Sequence, residues 1–307
     1  MVTTSGRSAV RERRWSAPWP VDPALVLGPY QRGPGDPTMR AEPGGAFWRT
    51  SRTPDGPGTL RVAGVSGRVA ATAWGPGAEW MLATLPALLG ADDDVSGFVP
   101  GHEVVRDAAR RYPGLRIGRT SRVLEALVPA VLEQKVVVAE ARRAWRWLLG
   151  RYGDPAPGPA PEGMRVFPGP EVWRSIPSWD WHRAGAEAVR ARTIVNAAGH
   201  AAKLEAAGGS AELDRLLRAL PGIGVWTSAE VRQRSHGDAD AVSVGDFHLP
   251  SLVGWSLSGE RADDARMLTL LAPYRGHRHR VSRLLRLGGA RPPARGPRAP
   301  VRDHRWF

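Results

Sequence analysis

Apolar positions along this chain change period near residue 100. Before it, short alternating runs dominate. Thr59-Leu60-Arg61-Val62-Ala63 and Arg68-Val69-Ala70-Ala71-Thr72-Ala73-Trp74 predict two strands joined by a turn over residues 64–67, which holds two glycines. Residues 79–89 predict a helix with Trp80, Leu82, Ala83, Leu85, Ala87 and Leu88 as its apolar positions and Pro86 as a disruption. These elements make a small α+β unit ending near Asp92-Asp93-Asp94. The first 45 residues are rich in Pro and Gly, lack periodicity, and predict extended or loop structure.

Beyond residue 100 the pattern turns helical. Val123, Leu124, Leu127, Val128, Val131, Leu132 and Val136 recur at three- and four-residue spacing, with Thr120 or Ser121 as candidate caps. The same helix is expected to continue through residues 142–149. Residues 154–161 alternate Pro with small residues and predict a surface loop. Helices are expected again over residues 184–200, 212–220, 226–234, 249–257 and 278–287. The Arg- and Pro-rich tail from residue 288, with Arg291, Arg295, Arg298, Arg302 and Arg305, is expected to be disordered. No internal repeat is visible. The boundaries that follow are an N-terminal α+β domain with an extended leader (1–100), a two-lobed helical region (101–287) and the tail (288–307).

Between two of the predicted helices stands Leu220-Pro221-Gly222-Ile223-Gly224-Val225-Trp226-Thr227. Glycines let backbone approach a ligand closely, and a turn feeding a helix N-terminus presents free N–H groups to an anion such as phosphate. Ile223 and Leu220 would anchor the turn. A bare Gly-x-Gly between helices also fits an ordinary helical hairpin. Asp246 follows 20 positions after Trp226 and, on local grounds, is an N-cap for the helix that starts just beyond it.

Charge and composition narrow the classes. The net charge of +13 suits a polyanionic partner. Lys135 and Lys203 are the only lysines, so the excess is almost all Arg, a bias that a GC-rich coding sequence also produces. The absence of cysteine excludes disulfides, thiolate zinc sites and iron–sulfur clusters. The histidines form no His-Glu-x-x-His array, so no transition metal is expected. Neither a secretory h-region nor an apolar run of membrane-spanning length is present, and a cytoplasmic, nucleoid-associated protein is expected.

The hairpin sequence with its trailing Asp246 resembles the helix-hairpin-helix DNA glycosylases, most closely the DNA-3-methyladenine glycosylase II branch. The resemblance covers roughly residues 59–287 and is strong across 213–255. It implies a mainly α helix-hairpin-helix glycosylase fold with a small α+β N-terminal domain. It also implies a monomer acting on double-stranded DNA that contains a damaged base. Asp246 takes the catalytic role, Trp226 and Phe247 the base pocket, and Gly222, Ile223, Gly224, Gln134 and Lys135 the DNA contacts. A monovalent cation on the hairpin carbonyls is implied; no other cofactor is expected.

The chemistry asks for little beyond that carboxylate. Cleaving an N-glycosidic bond builds positive charge on the deoxyribose. A carboxylate about 4 Å away lowers that barrier by roughly 4 kcal/mol at an effective dielectric near 20, close to a thousandfold in rate. An alkylated purine is already cationic and leaves without a strong general acid. Bifunctional members carry a Lys where this chain has Trp226, so a monofunctional glycosylase for alkylated purines, acting in base excision repair, is the expectation. A non-catalytic helix-hairpin-helix DNA-binding protein is the alternative.

Four other features carry looser readings. Val131-Leu132-Glu133-Gln134-Lys135-Val136 resembles the family segment that enters the DNA stack, with Lys135 a departure from the usual apolar wedge. Glu230, one turn past Trp226, either favours a cationic base or faces solvent. Arg275, in Pro273-Tyr274-Arg275-Gly276-His277-Arg278, is a candidate contact to DNA or to Asp240. The aromatic run of residues 176–182 fits either helix packing or base stacking.

Overall fold

The structure, a computed structural model, describes residues 10–65 and 68–293. Five antiparallel strands, β1 (Arg11–Trp15), β2 (Met39–Ala41), β3 (Phe47–Thr53), β4 (Gly56–Val65) and β5 (Arg68–Trp74), pair in the order β1-β5-β4-β3-β2. The two strands read from period-two alternation are central: Leu60 lies opposite Ala73, and Val62 opposite Ala71. Their inward residues, with Phe47 of β3, pack on helix Ala78–Ala83 and on Leu85 and Leu88. Pro86 does not kink one helix; it lies in the first turn of a second short one, Leu85–Leu88, where its missing N–H costs nothing.

The leader departs from its loop reading. Besides β1 and β2 it forms helix Pro23–Leu27, capped by Asp22, which accepts from the N–H of Ala24 (2.8 Å) and of Leu25 (3.3 Å). The fully buried Asp36 ties residues 31–38 to the helices, accepting from the Trp145 indole at 3.0 Å and from the Arg32 N–H at 2.6 Å. A carboxylate satisfied from 109 residues away leaves no local signal. Residues 154–161 are also more than a surface loop. Asp154–Pro155 pairs with Arg165–Val166, and Ala156, Ala160 and Met164 cover Trp48 and Trp74, whose rings stack at 5.3 Å.

Two apolar clusters organise the helices. The larger gathers helices Val123–Leu132, Val138–Tyr152, Ala188–Gly199 and Val225–Ser235, with Trp145, Phe167, Trp173 and Trp181 in a chain of ring contacts of 5.2–6.2 Å. The second joins helix Glu103–Arg111 to the C-terminal helices Leu249–Ser258, Asp264–Leu271 and Arg278–Gly288. A buried ion pair, Asp93 with Arg280 at 2.5 Å, fastens the end of the sheet unit to the second cluster. The tail helix runs to Gly288; of the expected disordered tail, residues 294–307 lie outside the described residues, as do residues 1–9 of the leader.

The predicted long helix is two. It stops at Leu132 and restarts at Val138, and Lys135 between them has φ +54°, a left-handed backbone that an α-helix cannot continue through. Neither Thr120 nor Ser121 caps it. The Glu205 carboxylate does, accepting from Val123 N–H (2.9 Å) and Leu124 N–H (3.0 Å). Among described residues no helix is long and apolar enough to cross a membrane.

Candidate active site

The hairpin joins helix Ser210–Arg218 to helix Val225–Ser235. Its two glycines do different work. Gly222 has φ +85°, and a Cβ there would lie 2.2 Å from Thr193 Oγ1, so both conformation and contact require glycine. Gly224 is extended (φ −97°, ψ −175°), with open space around it. As the N-cap of the second helix it supplies no side-chain acceptor, leaving that helix's first N–H groups without a side-chain cap. Such an end attracts an anion through its N–H groups and its dipole. Ile223 is buried in the larger cluster, and Gly224 and Val225 beside it are exposed.

The break in the preceding helix pair delivers Gln134 to this turn. Its Nε2 donates to Gly222 O at 3.0 Å and to Thr227 Oγ1 at 2.8 Å, gripping the bend and the second helix together. The buried Arg190 holds Gln134 in turn, donating to its carbonyl at 3.1 Å. Lys135 is exposed on the same tip. The structure thus unites Gln134, Gly222, Ile223 and Gly224, with Lys135 alongside.

Asp246 sits on the segment that crosses from the hairpin helix to the second cluster. Residues 243–246 form a turn closed by Asp246 N–H to Ser243 O at 3.2 Å, with Gly245 at φ +89°. Oδ1 of Asp246 accepts from His248 N–H and Leu249 N–H, both at 2.8 Å, which is the capping role read from the sequence. Oδ2 accepts from Trp226 Nε1 at 3.2 Å. Both side chains are half-exposed. The carboxylate is therefore fixed by three donors while remaining half-exposed.

Phe247 does not join Trp226 in an enclosed pocket. It is 89% exposed, its ring meeting His248 edge-on at 4.9 Å. The capping geometry explains this: with Asp246 turned onto the helix start, the adjacent side chain points outward. Glu230 fits neither of its expected roles. It is buried, accepts from Ser243 Oγ (2.6 Å) and pairs with Arg234 (2.8 Å). Burial alone would raise its pKa, but Arg234 and the Ser243 hydroxyl outweigh it and hold the carboxyl below its usual range.

Gln233 adds bonds to Ala241 O (2.9 Å) and Ser243 Oγ (3.0 Å). The hairpin helix thereby grips the start of the Asp246 segment through Glu230 and Gln233, one and two helical turns beyond Trp226. Arg278, not Arg275, pairs with Asp240, at 2.5 Å; Arg275 is exposed. In the aromatic run, Trp181 is core and Trp179 is 65% exposed.

Two cavities border the region. One of about 50 Å³, between sheet and helices, is lined by Tyr30, Arg32, Arg49, Glu125, Trp145 and Arg234 among others. Another of about 220 Å³ lies beside Asp238, Asp240, Val242, Val244, Arg232 and Arg278. Neither is lined by Asp246 or Trp226.

No family model matches the chain. It is 31% identical over 165 residues to the probable bifunctional transcriptional activator/DNA repair enzyme AlkA of Mycobacterium tuberculosis; the match covers 52% of this chain and 31% of that protein. The chain thus spans about a third of the length of the curated relatives it matches. Its structure is similar to that of the 3-methyladenine DNA glycosylase from Archaeoglobus fulgidus, with a TM-score of 0.74 at 20% identity over 90% of this chain and 98% of that one. It is also similar to the Clostridium acetobutylicum 8-oxoguanine glycosylase/lyase bound to double-stranded DNA, with a TM-score of 0.69 at 11% identity over 90% and 96% of the two chains. With the glycine hairpin and the aspartate that follows it in place, these likenesses show that the chain has the fold of the helix-hairpin-helix DNA glycosylases.

Proposed function

We propose that this protein is a monofunctional DNA glycosylase that releases alkylated purines of the 3-methyladenine type from double-stranded DNA, leaving an abasic site. The observation that carries the reading is the hydrogen bond from Trp226 to a half-exposed Asp246 beside an uncapped helix end. The helix end and exposed arginines hold phosphates, and the extruded nucleotide is presented to Trp226, whose indole face favours a cationic base. The C1′–N bond breaks with its electron pair going to the base. Water adds to C1′ and releases a proton to solvent, while Asp246 stabilises the developing positive charge and orients the water.

Hydrolysis, not strand cleavage, follows from the nucleophiles present. Lys203 lies in helix Ala201–Glu205, outside the hairpin, and Lys135 sits on the tip that touches the bend from outside. A monovalent cation at the bend fits the donor set: Leu220 O and Gly222 O each accept one hydrogen bond and keep a second lone pair. Such an ion would neutralise a phosphate bound there.

Chromatography of the bases freed from methylated, deaminated and oxidised duplexes tests the assignment. Release of 3-methyladenine, with no adduct trapped by borohydride, is the expected result. A trapped adduct would assign Lys135 a covalent role. The second reading, a DNA-binding protein without catalysis, is favoured by the two backbone N–H groups that Asp246 caps. It predicts no base release from any of the three substrates.

A further inference from the structure

We propose that Asp264 is a positioning residue for the Asp246 carboxylate, acting through the backbone of Gly245. The inference rests on the glycosylase reading and deepens it. The Gly245 N–H donates to both oxygens of the Asp264 carboxylate, each at 3.1 Å. It is the backbone group immediately before the catalytic candidate.

Little else holds Gly245. A Cβ built there meets no atom within 4 Å, so packing does not fix the turn at that point. In a turn with glycine at its third position, the peptide preceding that glycine is the one that can rotate between alternative forms. Its N–H is the group that Asp264 takes. The bonds from His248 and Leu249 orient the Asp246 side chain relative to its own helix, but they do not fix that helix start against Trp226 on the hairpin helix.

Asp264 has the right origin for that task. It opens helix Asp264–Leu271, whose N-cap is already Asp263, accepting from Arg266 N–H at 2.8 Å. Asp264 is therefore free of the capping role and reaches back across the loop. Met267 and Leu271, one and two turns further on, are fully buried in the same cluster as Leu249 and Val253, so the carboxylate projects from a rigid base. A negative charge beside a surface that must accept DNA opposes phosphate binding. Rate and affinity thus respond differently to its removal.

The test compares Asp264→Ala and Asp264→Asn in the full chain. It reads single-turnover release of 3-methyladenine from methylated duplex and binding to a duplex carrying a tetrahydrofuran abasic analogue. Asp264→Ala is expected to slow release roughly tenfold, the scale of a small misplacement at a reacting centre, with binding unchanged or tighter. Asp264→Asn, which keeps a carbonyl acceptor for Gly245 N–H, is expected to restore most of the rate.

Equal slowing in both variants, release by Asp264→Ala within about twofold of wild type, or a rate loss matched by lost binding would overturn the inference. Amide exchange at Gly245 is the readout independent of activity: protection present in wild type and Asp264→Asn is expected to fall in Asp264→Ala. If the wild type frees no base, the glycosylase reading fails by itself. Unchanged protection in Asp264→Ala sinks the positioning role whatever the activity.

Discussion

The indole nitrogen of Trp226 donates to Oδ2 of Asp246 across 3.2 Å, joining the first turn of the hairpin helix to a loop twenty residues further on. This contact ties the helix start proposed to hold phosphate to a carboxylate in a single geometry. Trp226→Phe keeps an aromatic face and removes the donor. A hydrogen bond to a charged group contributes about 1.5–3 kcal/mol, and the half-exposed setting puts this one at the low end. Single-turnover base release is expected to fall roughly tenfold, with DNA binding little changed. A rate equal to wild type would show that the indole acts only as packing.

The two hairpin glycines are expected to separate cleanly. Gly222→Ala meets Thr193 Oγ1 at 2.2 Å and forces a side chain onto φ +85°, costing about 1–3 kcal/mol in urea unfolding and weakening DNA binding. Gly224→Ala occupies open space at an ordinary φ and should stay within about 0.5 kcal/mol of wild type. Equal losses at both positions would contradict the distinction drawn between a strained bend and an open helix cap.

His279 supplies a pH dependence. Its imidazole is held well below its ordinary value of 6.5, first by loss of solvent and then by the guanidiniums of Arg283, Arg234, Arg286 and Arg280. The unfolded chain therefore takes up this proton before the folded one does. The stability tied to the neutral ring is complete above the ordinary value and is lost as pH falls through the lower folded value. His279→Gln, which cannot be protonated, is expected to show a smaller fall in Tm than wild type between about pH 7 and pH 5. Parallel losses in the two proteins would exclude the effect.

Much of this architecture was legible because its signals are local. Period-two alternation marked β4 and β5, three-to-four spacing marked the helices, and Leu-Pro-Gly-Ile-Gly marked the bend. Asp246 was readable both as a cap and as a functional carboxylate, and its bonds are compatible with both. What escaped reading depends on partners distant in the chain. Glu205 caps a helix 82 residues before it, and Asp36 is satisfied by Trp145, 109 residues on.

The break at Lys135 falls inside an apolar period that continues to Val136. Its reason, delivery of Gln134 to Gly222, exists only in three dimensions. Phe247 stands outward for a related cause. Adjacency to Asp246 suggested a shared pocket, whereas the cap turns successive side chains in different directions. Glu230 was misread because its partners are Ser243 and Arg234, and of the two contacts offered for Arg275 the one to Asp240 is taken by Arg278.

The central claim is that Asp246 drives cleavage of the glycosidic bond, and one comparison tests it most directly. Asp246→Asn keeps an acceptor for His248 and Leu249 and removes the negative charge. Single-turnover release of 3-methyladenine from methylated duplex should proceed in the wild type and drop on the order of a thousandfold in the variant, with affinity for the duplex retained. Equal release by both proteins would contradict the account, and so would release by neither.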